Sequence, residues 1–319
     1  MRLALAGPVV PAPDPGPPLR SIGRTIDAWL LDIVSGWFRF FGGDTLMVEI
    51  YHCAMVANTQ HLLGDAMLAV RFNTAPVTPV DCRPVSVAAI AVRLGIDYTT
   101  VRRNVTAMRE AGQCFGDRHG VIVDLAGAPA FIATPGGVPA QLALLATQLQ
   151  ERVIDNGYDV AAVAELRNAL DLDFTRLAAA DTLVTLLVAN YIARVMLPST
   201  SLFGADRDSA AIFLTIYVEN SRSVAADPGL SHADGWIDRE LLAVALRPIS
   251  VTEIAIRLGM NNETVRRKTN RLIDKGMVQR VVGGVVVIRT LTLAPVHAPL
   301  LYQELLTMLA QVKPVVAVG

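Results

Sequence analysis

With 52% hydrophobic and 18% charged residues over 319 positions, the chain is too apolar for disorder and long enough for two ordinary domains. A formal net charge of −1 speaks against a nucleic-acid binder unless the charge is unevenly placed. Three cysteines without a CxxC or Cys/His cluster argue against a disulfide framework or a zinc site and fit a reducing cytoplasm.

Residues 1–20 hold a short apolar run broken by Pro8, Pro11 and Pro13, unsuited to a secretory leader, and read as a disordered tail. Ile26, Trp29, Leu30, Ile33, Val34, Trp37 and Phe41 then recur at helical spacing, which predicts a helix over Ile22–Phe41. Gly42-Gly43 ends it, and Asp44 caps a second helix at about Thr45–Leu63. Arg71–Arg83 contains Pro76 and Pro79 and reads as a loop. Pro84–Asp124 has the pattern helix, turn, helix, hairpin, followed by a helix at about Pro139–Ile154 and a hinge at Asp155-Asn156-Gly157. Asp181–Leu197 is an apolar helix too short for a membrane span and interrupted by Asn190 and Arg194. Helices at about Ser209–Val224 and Trp236–Leu246 lead to Pro248–Ile288, and another at about Ala298–Val312 closes the chain.

Pro248–Ile288 is the clearest stretch. Val251, Ile254, Ala255 and Leu258 form one apolar face, Gly259 supplies a left-handed stop, and Asn261 caps a second helix rich in Arg and Lys. Two valine-rich strands around Gly283-Gly284 then make a hairpin. The same pattern stands 164 residues earlier without a gap. Ser86, Val87, Ile90, Ala91, Arg93, Leu94, Gly95, Thr100, Val101, Arg102, Arg103, Gly112, Gly120, Val121 and Val123 each meet an identical residue. Outside it, Phe41-Gly42-Gly43-Asp44 aligns with Phe203-Gly204-Ala205-Asp206 and Asn58 with Asn220, at an offset of 162. The pattern reads as an internal repeat with halves at 21–158 and 159–319. Segment 248–288 carries seven Lys/Arg against three Asp/Glu, or +4, and segment 84–124 five against four, or +1. The remainder is therefore at −6, and the positive charge sits in the two modules.

The runs RLGMNNETVRRKTNRLIDKGMVQR and RLGIDYTTVRRNVTAMREAGQCFG resemble the DNA-binding module of bacterial winged-helix transcription regulators of the MarR, IclR and GntR groups, over roughly 40 residues in each half. The resemblance implies a mainly α fold with small β-wings, in which two winged helix-turn-helix modules sit on an apolar helical scaffold as a pseudo-twofold dimer within one chain. Pairing of two such chains into a further homodimer stays open. The partner implied is double-stranded DNA, with no membrane and no cofactor.

A recognition helix places side chains of its first turns against base edges and phosphates. In the second module these are Asn262, Glu263, Thr264, Arg266 and Arg267, with Lys268 and Asn270 behind. In the first they are Tyr98, Thr99, Thr100, Arg102, Arg103 and Asn104. Arg118 and His119 at one hairpin tip and Arg280 beside the other are candidates for backbone or minor-groove contact. Arg103 and Arg267 have a second reading, in which they face the first helix of their own module. Because the recognition helices differ, the expected operator is asymmetric, with two half-sites about one helical turn (~34 Å) apart.

No Walker A, dinucleotide or GxSxG pattern and no metal spacing among the five histidines points to an enzyme. The expectation is a cytoplasmic transcriptional repressor. The alternatives are a plasmid-type replication initiator and a winged-helix scaffold for protein interaction. Trp29, Trp37 and Tyr51 have two readings, core packing or the wall of an apolar effector pocket.

Overall fold

The computed structural model describes residues 16–63, 71–72, 75–117, 120–125, 137–155, 160–179, 181–201, 203, 206–226, 246–288 and 294–317. Two small antiparallel sheets stand out in an otherwise helical chain. Helix α1 spans Gly16–Phe40 and α2 Thr45–Leu63. Helices α3 (Val87–Leu94) and α4 (Tyr98–Glu110) lead into strands β1 (Cys114–Asp117) and β2 (Gly120–Val123). Then come α5 (Gly137–Leu149) with a π turn over Gln150–Ile154, α6 (Ala161–Ala169), α7 (Phe174–Ala179), α8 (Asp181–Ser201) and α9 (Arg207–Ala226). Helices α10 (Val251–Leu258) and α11 (Asn262–Asp274), strands β3 (Val278–Val281) and β4 (Gly284–Val287), and α12 (Ala294–Ala317) complete the order.

Several expectations change. Helix α1 opens at Gly16, inside the segment assigned to a tail, because prolines at 17 and 18 fall in its first turn, where their missing N–H groups have no helical partner to lose. Helices α6 and α7 were not expected. They are short and polar outside, burying only Val163, Leu166 and Leu177 deeply. The helix expected at Trp236–Leu246 lies, but for Leu246, outside the described residues, as do Asn156 and Gly157 of the expected hinge. Arg71–Arg83 holds a 3-10 turn at Pro79–Asp81, closed by Asp81 bonding the Thr78 amide and hydroxyl.

The scaffold is a bundle of α1, α5, α8 and α12, with α2 and α9 alongside. Helix α1 packs on α9, α12 and α5, whereas α8 packs on α2, α12 and α5. Each long helix thus lies against the other half of the chain more than against its sequence neighbour. Their apolar faces form one continuous core with Ile22, Ile26, Tyr191, Ile212, Leu301 and Leu305 fully enclosed. Two polar pairs lie inside it: the Tyr191 hydroxyl donates to the Leu301 carbonyl, and His297 meets Asp27 at 2.8 Å. Burial opposes the charge on His297, but the neighbouring Asp27 outweighs it and raises the imidazole pKa.

Helix α2 carries α3, α4 and β2, and α9 carries α10, α11 and β4. A single asparagine joins each assembly to its carrier. Asn58, fully buried in α2, donates from Nδ2 to the carbonyls of Arg83 (2.7 Å) and Val121 (2.9 Å) and accepts from the Val123 amide (3.0 Å). Asn220 in α9 does the same with Arg247 (2.7 Å), Val285 (3.2 Å) and the Val287 amide (2.9 Å). The second assembly is also clamped by α1. A side chain on Gly43 would strike the backbone of Gly259 at 2.7 Å, so both must be glycine for α1 to end against the α10–α11 turn.

Candidate nucleic-acid interface

In the second assembly Ser250 caps α10 through a capping box with Glu253, and Gly259 ends it in the left-handed region at φ 63°. Asn261 then accepts from the Glu263 amide to start α11 at a fixed angle. Val265, Thr269 and Leu272 turn inward, and the other faces carry the charge. The first assembly repeats this geometry: Ser86 caps α3, Gly95 ends it at φ 62°, and Asp97 caps α4. In both, the residue before the capping serine bridges the hairpin, Val85 to Val121 and Ile249 to Val285.

The expected contact residues divide. Tyr98, Thr99, Arg102 and Arg103 on α4 are exposed, as are Asn262, Glu263, Arg266 and Arg267 on α11, and Thr100 and Thr264 are half-buried. Arg103 and Arg267 are thus open to solvent. Arg266 is held by Glu263, whose carboxylate accepts from both Nε (2.7 Å) and Nη2 (2.6 Å). Arg280 reaches back from β3 to the half-buried Asn270 at 2.9 Å, tying the hairpin to α11. Arg118 and His119 lie outside the described residues.

Two expected contacts are corrected. Asn104 is buried, its amide donating to the Thr100 carbonyl at 2.9 Å. Lys268, at the aligned position, is only 12% exposed in its side chain and is bound by Asp206, with Asp208 at 3.6 Å. The reason is helical phase: 101, 104, 105 and 108, like 265, 268, 269 and 272, stand at i, i+3, i+4 and i+7, the stripe that faces the carrier helix. Burial works against the Asp206 carboxylate, yet the bonds from Lys268 and Ser209 more than offset it and hold its pKa below the usual range. Lys268→Ala is therefore expected to lower stability by about 1–3 kcal/mol and leave base preference unchanged. Thermal melting beside a binding-site selection on the variant checks this, and a changed site with an unchanged melt would reverse the assignment.

The aromatic residues assigned to an effector pocket are corrected as well. Trp29, Trp37 and Tyr51 are each at most 3% exposed. The Trp29 indole donates to the Gln141 carbonyl at 2.9 Å, the Tyr51 hydroxyl to the Asp124 carbonyl at 2.6 Å, and Trp37 packs on Tyr51 and His52. Packing is what they do. A different cleft, partly open to solvent, runs between α1, α2, α8 and α9, with Leu30, Val34, Phe38 and Leu214 among its walls. Its polar end is the contact between Arg207 and the buried Glu49. Burial raises the Glu49 pKa against the opposing pull of Arg207. Arg207 also reaches the Leu94 carbonyl at the end of α3, at 3.3 Å.

Two short helices at a fixed turn, the second presenting exposed cations, with a hairpin beside it and a carrier helix behind, make a helix-turn-helix arrangement. Residues 244–290 match the DeoR-like helix-turn-helix domain, which supports a DNA-binding transcription regulator. No curated protein and no solved structure matches the chain. Among the described residues no His/Cys/Asp/Glu group is placed to hold a metal, and no helix is long and apolar enough to cross a membrane.

Proposed function

We propose that the chain is a repressor whose two winged helix-turn-helix modules arose by duplication and fusion, and which folds on itself as a pseudo-twofold dimer. The observation that carries the reading is the recurrence of one docking device. Asn58 and Asn220, 162 residues apart, bond the same three backbone groups of their hairpins and linkers. The bundle supports the pairing of unlike halves. At that offset Glu49 aligns with Ala211 and Thr45 with Arg207, so the Glu49–Arg207 pair forms only between a first half and a second half. Two first halves would set Glu49 against threonine, and two second halves would leave Arg207 without the carboxylate. Burying either charge unpaired is costly, which favours closure within the chain.

Tyr98, Thr99, Thr100, Arg102 and Arg103 of one module, and Asn262, Glu263, Thr264, Arg266 and Arg267 of the other, are the residues assigned to DNA. The binding regions are the two halves at 21–158 and 159–319. Occlusion of a promoter is the mode of action assigned. Selection from random duplexes, followed by mobility shift at several salt concentrations, tests the reading. The expected product is an asymmetric site with half-sites about one turn apart and an affinity that falls steeply with salt. A symmetric site, or binding without sequence preference, would refute it.

A further inference from the structure

The groove between α4 and the β1–β2 hairpin differs from its counterpart in a way that changes its ligand. In the second module Arg280 on β3 spans to Asn270 on α11 and closes the gap between helix and hairpin. At the aligned positions of the first module stand Gly116 and Thr106, and the Thr106 hydroxyl is turned back on the Arg102 carbonyl at 3.0 Å. No strap can form there. A groove partly open to solvent is left, with Tyr98, Arg102, Arg109 and Phe115 on its walls. Tyr98 is 49% and Phe115 48% exposed, and both arginines are exposed. Their counterparts in the second module are Asn262, Gln279, Arg266 and Ile273. One groove offers hydrogen bonds, and the other offers two aromatic faces between cations.

We propose that the first-module groove takes an unpaired base of single-stranded DNA, stacked against Tyr98 and Phe115, with the flanking phosphates on Arg102 and Arg109. The proposal rests on the reading that this module meets DNA. Stacking on an aromatic face needs a base that has left its pair, and it tolerates any sequence because every base has a π-face. Arginine beside the ring neutralises the phosphates and adds a cation to the stack. Duplex and strand then compete for Tyr98 and Arg102 of the first module, while the second, where Arg280 is bonded to Asn270, keeps its duplex half-site.

The test uses the full chain, a 20-nucleotide oligo-dT strand and the duplex returned by selection. Wild type is expected to bind both. Phe115→Ala is expected to weaken oligo-dT binding about tenfold, with duplex affinity unchanged and Phe115→Trp restoring the strand. Phe115 is half in water, so the variant's melting temperature should match wild type, which separates a lost stack from a lost fold. Binding of duplex but not oligo-dT, or equal strand binding by Phe115→Ala, overturns the proposal and leaves the regulator reading in place. Binding of neither nucleic acid overturns both.

Discussion

Asn220→Ala is expected to destabilise the protein by about 3–4 kcal/mol, the largest loss of any single polar substitution considered. The side chain is 1% exposed and serves three backbone groups at once, the carbonyls of Arg247 and Val285 and the amide of Val287. Alanine removes the partner of the Arg247 carbonyl and the Val287 amide, while the Val285 carbonyl keeps the Ile249 amide, so the penalty is desolvation of two groups as much as lost bonds. The damage should be local before it is global. With the carrier helix no longer stitched to β4, the Val287 amide is expected to lose protection from hydrogen exchange while amides inside α1 and α12 keep theirs. Denaturant titration and exchange of the two variants Asn58→Ala and Asn220→Ala check this in parallel, the first through the Val123 amide. A loss below about 1 kcal/mol at both positions would show that the asparagines do not dock the modules and that packing and the Lys268 ion pairs do.

How far the sequence reaches is shown by these same residues. The alignment of Asn58 with Asn220 is visible in the chain, but their role is not, because the carbonyls they hold lie 25 to 65 residues away and backbone partners leave no mark in composition. The helix-turn-helix segments were legible almost to the residue. Their caps, glycine stops and apolar phase are local, and local signals all point the same way. Asn104 and Lys268 share the helical phase of the buried stripe, and their polar side chains conceal it. What needed coordinates was Asp206, the acid waiting for Lys268 at the start of α9. The crossing of α1 onto α9 and of α8 onto α2 was open only through the resemblance, because an apolar stripe says that a face is covered and not by what. Helices α6 and α7 left a weak signal for a related reason: short amphipathic turns that add few buried side chains to a finished core have little periodicity to show.

The asymmetry between the modules follows from residues that the shared frame leaves free. Caps, stops, the buried stripe and the asparagine stitch are the same in both, since they build the module and dock it. The positions that face outward, 98 against 262, 115 against 279 and 116 against 280, are where the two differ. Stability constrains the inward set, whereas the outward set is free to follow a ligand. On the proposed reading, that separation lets one frame carry two specificities.

Removing Arg266 is expected to weaken the selected duplex by about 5–150-fold and to flatten preference at one base pair. In the free protein its guanidinium lies in a fork with Glu263, and that contact holds the Glu263 carboxyl below its usual range. The pair is thus aligned before DNA arrives, with an acceptor and a bidentate donor side by side on the first two turns of α11. Such a pair suits neighbouring cytosine and guanine edges and rejects a bare phosphate, because Glu263 brings a negative charge to the same place. Glu263→Gln should then act in the opposite sense from a simple loss of contact. Affinity for unrelated duplex is expected to rise and the ratio of selected to unrelated binding to fall, as Arg266 becomes free to meet the backbone. Arg267→Ala, one residue on, should lower both affinities together and reduce the salt slope by about one. Competition binding of the three variants on selected and unrelated duplex at two salt concentrations distinguishes these outcomes. If Arg266→Ala loses as much on unrelated DNA as on its own site, the residue is a phosphate contact and base reading must lie elsewhere on α11.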